Sequence, residues 1–445
     1  MPDHAHSIDP KVQAQLDRLT MLSPGRDVLG LERISALLER LGSPHHHLPP
    51  TFHVAGTNGK GSTCAFLRSA IEAAGMTAHV YSSPHLVRFN ERIRVAGKLI
   101  DDATLASLLS EVLDHAEGLQ ASFFEVTTAV AFLAFARQPA DACIVEVGLG
   151  GRLDATNILA APVACGIASL GIDHEAFLLA PEAGTPHAPL DRIAFEKAGI
   201  AKAGSPLLIQ KYTTSMVDTI SATARRTGAE LLARGTDWDA AVYEGRLHYR
   251  DEKGKLTLPL PRMSGTHQSD NAALAIAMLR HQSALVIPEA ALSAAMEWTR
   301  WPARMQLLAT GPLKAKLPQD RAIWLDGGHN PDAGVAIATL LADGPPLHII
   351  LGMLKNKDVV GFLKPFADKI ASLHAVPIPG HEHHEPDDLC LLVRDAMGVS
   401  DASSVETVSD ALDRIAAAGA DGDVLICGSL YLAGEVLRAN DQIPD

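Results

Sequence analysis

The sequence has a deficit of positive charge and no long apolar run. Its 38 Lys and Arg residues are outnumbered by 52 Asp and Glu residues, which gives a net charge of -14. A chain of this charge repels polyanions and offers no general basic surface for nucleic acid. No apolar stretch approaches the ~20 residues that cross a bilayer, and the start MPDHAHSIDP lacks the order of a signal peptide. We therefore expect a cytoplasmic protein with no membrane or nucleic-acid partner.

Cysteine is also scarce, and the chain has no internal repeat. The five cysteines are widely spaced and form no C-x-x-C pair, which is typical of small core residues in a reducing compartment. With 47% hydrophobic residues, the chain has enough apolar content for buried cores. Its 445 residues exceed one ordinary core and predict two domains.

An alternation of strands and helices begins at residue 51. TFHVAG (51–56) and TAHVYSS (77–83) are predicted strands, with a helix over 62–74 between them. Two more strands are predicted at 141–148 and 163–173, each ending in acidic or imidazole side chains. Ligands of α/β sheets gather at the carboxyl ends of strands, so this edge is the predicted site.

A second alternation begins at AIWLDGGHNP (322–331), after a stretch that contains Pro and Gly. We place the domain boundary near Ala303, which gives domains of residues 1–303 and 304–445. The apolar runs LHIILGML, ASLHAVPIP and DVLICGS predict strands of a smaller doubly wound domain.

The strongest local signal is the segment GTNGKGS, Gly56 to Ser62, which we call the phosphate turn. It follows a strand and opens a helix, so backbone N–H groups and Lys60 point at a bound phosphate. It departs from the standard phosphate loop, because Val54 replaces the first glycine and the hydroxyl comes one residue late. The alternative is a plain glycine-rich turn with an exposed lysine.

A second signal is Glu146 in the apolar run CIVEVGLGG. Many phosphate-loop enzymes keep a magnesium-directed acid at such a strand end, and magnesium prefers oxygen ligands. A buried acid paired with an arginine is the alternative.

Ten motifs in order make the pattern specific. They are GTNGKGS, SSPHL (82–86), FNERI (89–93), EVGLGGRLDATN (146–157), GIDH (171–174), EKAGI (196–200), HQSDNAALA (267–275), WPAR (301–304), DGGHNP (326–331) and LGMLKNKD (351–358). With them the chain resembles the folylpolyglutamate synthase family of the Mur ligase superfamily. The resemblance implies an α/β fold: a phosphate-loop ATPase-like domain with a mostly parallel sheet, followed by a smaller Rossmann-like domain.

The resemblance also implies a set of nucleotide and metal residues. Ser83, Glu146 and His174 would bind magnesium, and Lys197 would react with carbon dioxide to give a carbamate that holds a second ion. A capping or core histidine is the alternative for His174, and a salt-bridging lysine is the alternative for Lys197. The nucleotide would be bound by Thr57, Asn58, Gly59, Lys60, Gly61, Ser62, Asn271, Arg304 and Asp326.

Three further expectations concern the second domain and the substrate. His329 is expected to orient the acyl phosphate or the amine, while a linker salt bridge and a helix N-cap remain alternatives for Arg304 and Asp326. The pterin would be bound by Leu29, Gly30, Leu31, Phe124, Glu125, Leu153, Asp154 and Ala155, of which Leu29, Leu31 and Phe124 would equally suit a core.

Two other features qualify the resemblance. The histidine clusters at 45–47 and at 381, 383 and 384 lack partner cysteines, so we do not expect a transition-metal site there. The segment 178–195, LLAPEAGTPHAPLDRIAF, is longer than the family pattern, and we call it the insert. Its length leaves the spacing of the second metal open. Gly328 stands where Ala is common.

The implied reaction is ATP-dependent amide formation between L-glutamate and the carboxylate of dihydropteroate, a folate or both, through an acyl phosphate. We expect a monomer that needs ATP and two magnesium ions. The alternatives are another Mur-type amino-acid ligase acting on a UDP-sugar and a non-catalytic nucleotide-dependent regulator. SSPHL and FNERI favour the folate branch, and the joint presence of Lys60, Glu146 and Lys197 argues against a regulator.

Overall fold

The computed structural model describes residues 6–22, 29–419 and 421–445. Two units are distinguished: one extends to Arg262 and includes His267–Arg300, and the other comprises Met263–Thr266 and Trp301–Asp445. The boundary that the sequence predicts near Ala303 stays a prediction. No helix among the described residues is both long enough and apolar enough to cross a bilayer.

The first unit is built on an eight-stranded sheet in the order β4-β3-β2-β5-β1-β6-β7-β8. Only β3 and its pairings are antiparallel; the other neighbours are parallel. The strands are β1 (Thr51–Ala55), β2 (Ala78–Tyr81), β3 (Ile93–Val95), β4 (Lys98–Leu99), β5 (Ala142–Glu146), β6 (Ala164–Ile167), β7 (Pro206–Ile209) and β8 (Glu230–Ala233).

The helices of this unit cover the sheet, which explains why every residue of β1 and β5 is buried. The apolar helix α5 begins at a capping box in which Ser122 and Glu125 exchange hydrogen bonds. The helices are α1 (Pro10–Leu22), α2 (Glu32–Arg40), α3 (Lys60–Ala73), α4 (Asp102–Ala116), α5 (Phe123–Arg137), α6 (Glu175–Leu178), α7 (Pro189–Ala198), α8 (Thr214–Thr227), α9 (Thr266–Arg280) and α10 (Glu289–Trp298).

A three-stranded antiparallel sheet that the sequence analysis did not predict belongs to the first unit. It consists of β9 (Trp238–Tyr243), β10 (Arg246–Asp251) and β11 (Gly254–Pro259). Its buried face carries Trp238 and Tyr249, whose rings stack 6.0 Å apart.

The second unit has a six-stranded sheet in the order β12-β13-β17-β14-β15-β16, with only β12 antiparallel to its neighbour. The strands are β12 (Gln306–Leu307), β13 (Ile323–Leu325), β14 (Leu347–Leu351), β15 (Ile370–Ala375), β16 (Ala402–Ser404) and β17 (Asp423–Cys427). The helices are α11 (Pro331–Leu340), α12 (Val359–Leu363), α13 (Pro386–Met397), α14 (Val408–Ala418) and α15 (Leu430–Ala439).

The predicted α/β fold with two sheets is confirmed, with two local differences. The helix after the phosphate turn begins at Lys60 rather than at residue 62, because Gly59 already has the left-handed conformation that precedes it. The strand predicted at 163–173 ends at Ile167, because Ser169 and Gly171 leave the sheet to bond with Thr57.

The strand order places the phosphate turn beside Glu146. The crossover from β1 through α3 to β2 leaves room for one strand, and β5 fills it. The carboxyl end of β5 therefore lies between the ends of β1 and β2. This geometry follows from the topology and could not be read from the local sequence.

Candidate active site

The phosphate turn depends on glycine at one position for two independent reasons. Gly59 has φ 84°, a left-handed conformation that is costly for residues with a Cβ. A Cβ there would also lie 2.3 Å from Oδ1 of the buried Asn271. The structure thus brings Asn271, predicted to bind the nucleotide, into contact with the turn.

Helix α3 starts at Lys60 without a side-chain cap, because Gly59 has no side chain to donate or accept. Uncapped N–H groups and the helix dipole favour an anion at such a start. Ser62, in the first turn of this helix, is buried.

Thr57 fixes the segment that leads to His174. Its amide donates to the Ser169 carbonyl at 2.7 Å, and its hydroxyl donates to the Gly171 carbonyl at 2.9 Å. His174 itself is exposed, has φ 53°, and precedes α6 without a side-chain cap. The side chain of His174 is therefore neither part of a core nor a hydrogen-bonding cap of α6.

Two lysines converge on one carbonyl of the phosphate turn. Lys60 Nζ donates to the Gly56 oxygen at 3.1 Å and Lys197 Nζ donates to the same oxygen at 2.9 Å. Lys197 is buried, with 4% of its surface exposed. The sequence separates these two lysines by more than a hundred residues, and the fold joins them at Gly56.

Burial, and after it the nearby charge of Lys60, lower the pKa of Lys197 to about 7. Asp173, Asp154 and Glu196 act in the opposite direction. A neutral amine is thus accessible near neutral pH, which a simple salt-bridging lysine would not provide.

Glu146 ends β5 with a buried side chain, and its Oε2 accepts the Ser83 amide at 3.3 Å. The thiol of Cys64 on α3 has its pKa raised by burial, with Glu146 raising it further and Lys60 lowering it. Glu146 lies beside the phosphate turn, because it pairs in the sheet with Val54, which precedes Gly56 by two residues. Of the three predicted metal ligands, Ser83 and Glu146 are in contact through the Ser83 amide. Thr57 anchors the segment that leads to the third, His174.

The turn after β13 carries the predicted residues of the second unit. Asp326 is buried and accepts the Met305 amide at 2.8 Å and the Gly328 amide at 2.7 Å. It is not the helix N-cap that we considered, because Asn330 accepts the Ala333 amide in that position. Arg304 Nη1 donates to the Ala303 carbonyl at 2.9 Å.

His329 Nδ1 lies 2.9 Å from the Gly327 carbonyl oxygen. A carbonyl only accepts, so Nδ1 carries a proton in this contact. The contact fixes the orientation of the ring, which suits the predicted orienting role.

The predicted pterin residues divide into structural and partly exposed groups. Glu125 is buried, closes the α5 capping box and pairs with Arg33 at 3.0 Å. Asp154 is buried, which raises its pKa, and it accepts the Leu149 and Thr156 amides. Ala155 is also buried, whereas Leu29, Gly30, Leu31, Phe124 and Leu153 are partly exposed.

Phe124 packs against Tyr81, with ring centroids 5.9 Å apart, and leaves no room for a Cβ at Gly148. Leu31 packs against the same apolar core. Phe124 and Leu31 could therefore still be core residues, although each is partly exposed.

Comparisons with known proteins agree along nearly the whole chain. A model of the dihydrofolate synthetase C-terminal domain matches residues 312–439. The dihydrofolate synthase/folylpolyglutamate synthase of Escherichia coli (strain K12) is 35% identical over 419 residues, which cover 93% of this chain and 92% of that protein. The chain belongs to the dihydrofolate synthase/folylpolyglutamate synthase family.

Solved structures of the family share the fold. Escherichia coli FolC in complex with DHPP and ADP has a TM-score of 0.83 and 32% identity, covering 98% of each chain. A bifunctional folylpolyglutamate synthase/dihydrofolate synthase with Mn, AMPPNP and L-glutamate bound has a TM-score of 0.81 and 31% identity, covering 96% of this chain and 97% of that one. The predicted family and the predicted ATP-dependent ligase activity, which adds glutamate to a folate-type substrate, are confirmed.

The sequence analysis of this synthase missed three positioning side chains. Glu91 in FNERI accepts the Leu86, Val87 and Arg88 amides and so holds the loop after Ser83. Arg152 and Arg192 bind Glu196, the neighbour of Lys197. Charged residues inside otherwise matched motifs were the available signal for Glu91 and Arg152.

The histidine clusters of the synthase face different partners. His381 stacks on Tyr431 at 3.7 Å, and His384 Nε2 lies 3.2 Å from the Lys357 carbonyl. His45 and His46 contact each other at 4.0 Å, and burial lowers the pKa of His45 to about 4.

Proposed function

We propose that this synthase joins L-glutamate to the carboxylate of dihydropteroate, of a folate or of both, through an acyl phosphate. The observation that carries the proposal is the uncapped start of α3, with Lys60 and Lys197 at the adjacent Gly56 carbonyl. Amide N–H groups and the positive charge of Lys60 match the negative charge of a triphosphate. The substrate carboxylate attacks the γ-phosphorus, ADP leaves, and the glutamate amine then displaces phosphate and loses a proton.

We propose the following roles for the chain's own residues. The phosphate turn binds the phosphates of ATP. Asn271, Arg304 and Asp326 contact the nucleotide. His329 orients the acyl phosphate or the attacking amine. Phe124 and the turn Leu153–Ala155 bound the pterin, because they combine apolar surface with nearby polar groups.

The donor atoms fit magnesium as the metal. A buried carboxylate and a serine lie at neighbouring strand ends, and magnesium prefers oxygen ligands while keeping water and phosphate oxygens. Ser83, Glu146 and His174 would hold the ion, which would neutralise charge on the phosphate oxygens.

We also propose that Lys197 is carbamylated. Its neutral amine would attack carbon dioxide and release one proton, leaving a carbamate whose negative charge suits a second magnesium ion. The burial of Lys197 and its pKa of about 7 support this reaction. We further propose a cytoplasmic monomer, which is consistent with five free, buried cysteines.

The test is a ligation assay with the purified chain, ATP, magnesium, L-glutamate and either dihydropteroate or tetrahydrofolate. ADP release should require both the pterin and glutamate, and mass spectrometry should detect one or more added glutamate residues. A UDP-sugar substrate of the cell-wall ligases is the matched negative control. ADP release that is independent of every pterin and of glutamate would contradict the proposal.

A further inference from the structure

Four charged side chains form a cluster that joins the insert, the helix α7 that carries Lys197, and Arg152. Glu196 and Arg192 are buried. Arg152 reaches Glu196 with two nitrogens, at 3.1 and 3.0 Å, and Arg192 reaches the same carboxylate at 2.9 Å. A guanidinium that holds a carboxylate through two N–H groups fixes its orientation as well as its charge.

The insert supplies the outer member of this cluster. Glu182 Oε2 accepts Arg152 Nη2 at 2.5 Å and Arg192 Nη2 at 2.9 Å. Its side chain is 42% exposed, whereas that of Glu196 is 5% exposed. The two arginines therefore keep a buried carboxylate when the outer one is removed, so the fold does not depend on Glu182.

Arg152 connects the cluster to the turn Leu153–Ala155. Its amide donates to the Glu196 carbonyl at 2.7 Å, and its carbonyl accepts Asn157 Nδ2 at 3.0 Å. Asn157 Nδ2 also donates to the Gly199 carbonyl at 3.1 Å. The turn and the end of α7 are thus one hydrogen-bonded block.

The backbone at Arg152 and the backbone at Gly199, at the end of α7, lie so close together that only glycine fits at position 199. A Cβ on Gly199 would lie 2.4 Å from the Arg152 Cα. Arg192 adds a third segment, because its Nε donates to the Leu178 carbonyl at the end of α6. Movement of Arg152 would therefore be transmitted directly to the turn that follows it.

We propose that Arg152 is a positioning residue for the pterin substrate and that Glu182 of the insert sets its geometry. The inference rests on the proposed contact between the turn Leu153–Ala155 and the pterin. Loss of Glu182 leaves the Arg152 Nη2 group without its outer carboxylate and loosens the turn. Glu182 has no hydrogen bond to the phosphate turn among the contacts described above, so we expect its loss to change the KM for ATP little.

The experiment compares Glu182→Gln with Glu111→Gln in the intact chain. Glu111 is a matched control, because it also forms a two-fold, partly exposed ion pair, with Arg137 at 2.6 and 2.7 Å. Steady-state assays with tetrahydrofolate and with dihydropteroate give KM for the pterin, KM for ATP and kcat, and thermal denaturation gives Tm.

We expect Glu182→Gln to raise the pterin KM about three- to tenfold, with kcat and the ATP KM within about twofold of the parent. Glu111→Gln should lower Tm by about as much as Glu182→Gln does, and it should leave the KM for the pterin and the KM for ATP unchanged. A pterin KM within about twofold of the parent in Glu182→Gln overturns the inference, because the ion pair is then only structural.

The variant Leu153→Ala distinguishes the role of the charged cluster from the substrate role of the turn Leu153–Ala155. An increased pterin KM in Leu153→Ala with an unchanged one in Glu182→Gln overturns the role of the cluster alone. An unchanged pterin KM in both variants overturns the substrate role of the turn and the inference with it. Increases in both variants support both.

Discussion

The phosphate turn of the first unit and the turn Asp326–Asn330 of the second each follow a strand that one other strand separates from the next major parallel strand, yet their helices start differently. Gly59 precedes α3 without a side-chain cap, whereas Asn330 precedes α11 and accepts the Ala333 amide at 2.9 Å. The start of α3 is suited to the oxygens of a ligand, while the chain itself closes the start of α11.

The charges of the two turns also differ. Lys60 brings positive charge to the first turn, whereas the carboxylate of Asp326 in the second turn accepts the Met305 and Gly328 amides. One topology thus supports two kinds of chemistry, because side chains at the strand ends decide what the turn binds.

The largest expected effect comes from breaking the first turn with Lys60→Ala. Contacts to a transferring phosphoryl group are worth ~10²-fold or more, so kcat should fall by at least that factor. Tm should change little, because Lys60 contacts only loop carbonyls among the bonds described here. The exposed Lys98→Ala serves as the control in the ligation assay. Retention of more than about half of kcat would refute the phosphate role.

Lys197, which contacts the phosphate turn from α7, gives the next effect. Lys197→Ala should lower kcat on the order of tenfold to 10²-fold, and acetate or formate should restore part of it by supplying the missing negative charge. Lys197→Arg should not recover, because its charge cannot be carbamylated. A crystal at neutral pH should show extra density on the Lys197 side chain.

The pH dependence of this reaction has a defined sign. Because the pKa of Lys197 is about 7, the reactive neutral amine dominates above that pH and is protonated below it. When carbon dioxide is removed and then added back, activity should return faster at pH 8 than at pH 6. These two pH values lie about one unit above and one unit below that pKa. Full activity of Lys197→Arg, with an unmodified lysine in the crystal, would rule out the carbamate.

Glu146→Gln tests the metal side of the first turn. The substitution keeps the shape and removes the charge, so half-maximal activity should need roughly tenfold more magnesium. The exposed Glu39→Gln should leave the magnesium titration unchanged. An unchanged titration in Glu146→Gln as well would make Glu146 a structural residue.

The smallest effect is expected in the second turn. Asn330→Ala removes the cap of α11 and should lower the free energy of unfolding by about 1 kcal/mol. Thr407→Ala removes the cap of α14 in the same unit and should cost a similar amount. Urea denaturation measures both. If Asn330→Ala reduces kcat as strongly as Lys60→Ala at unchanged stability, the second turn is more than a closed helix start.

The sequence alone determined the local features of this synthase. Gly59 and Lys60 followed an apolar strand and opened a helix, so the phosphate turn was predictable from short-range pattern. The ordered motifs also predicted the family and its ATP-dependent ligation, which the comparisons confirm. The individual metal, nucleotide and pterin roles stay predictions.

Only the tertiary structure decided which distant residues meet. Glu146 lies beside the phosphate turn because β5 fills the space between β1 and β2, and Lys197 reaches Gly56 across 141 positions of the chain. Asp326 likewise proved to bond to the Met305 amide rather than to cap α11. Local propensity fixes a turn or a helix start, but these contacts arise from strand order and packing, which no short segment of sequence contains.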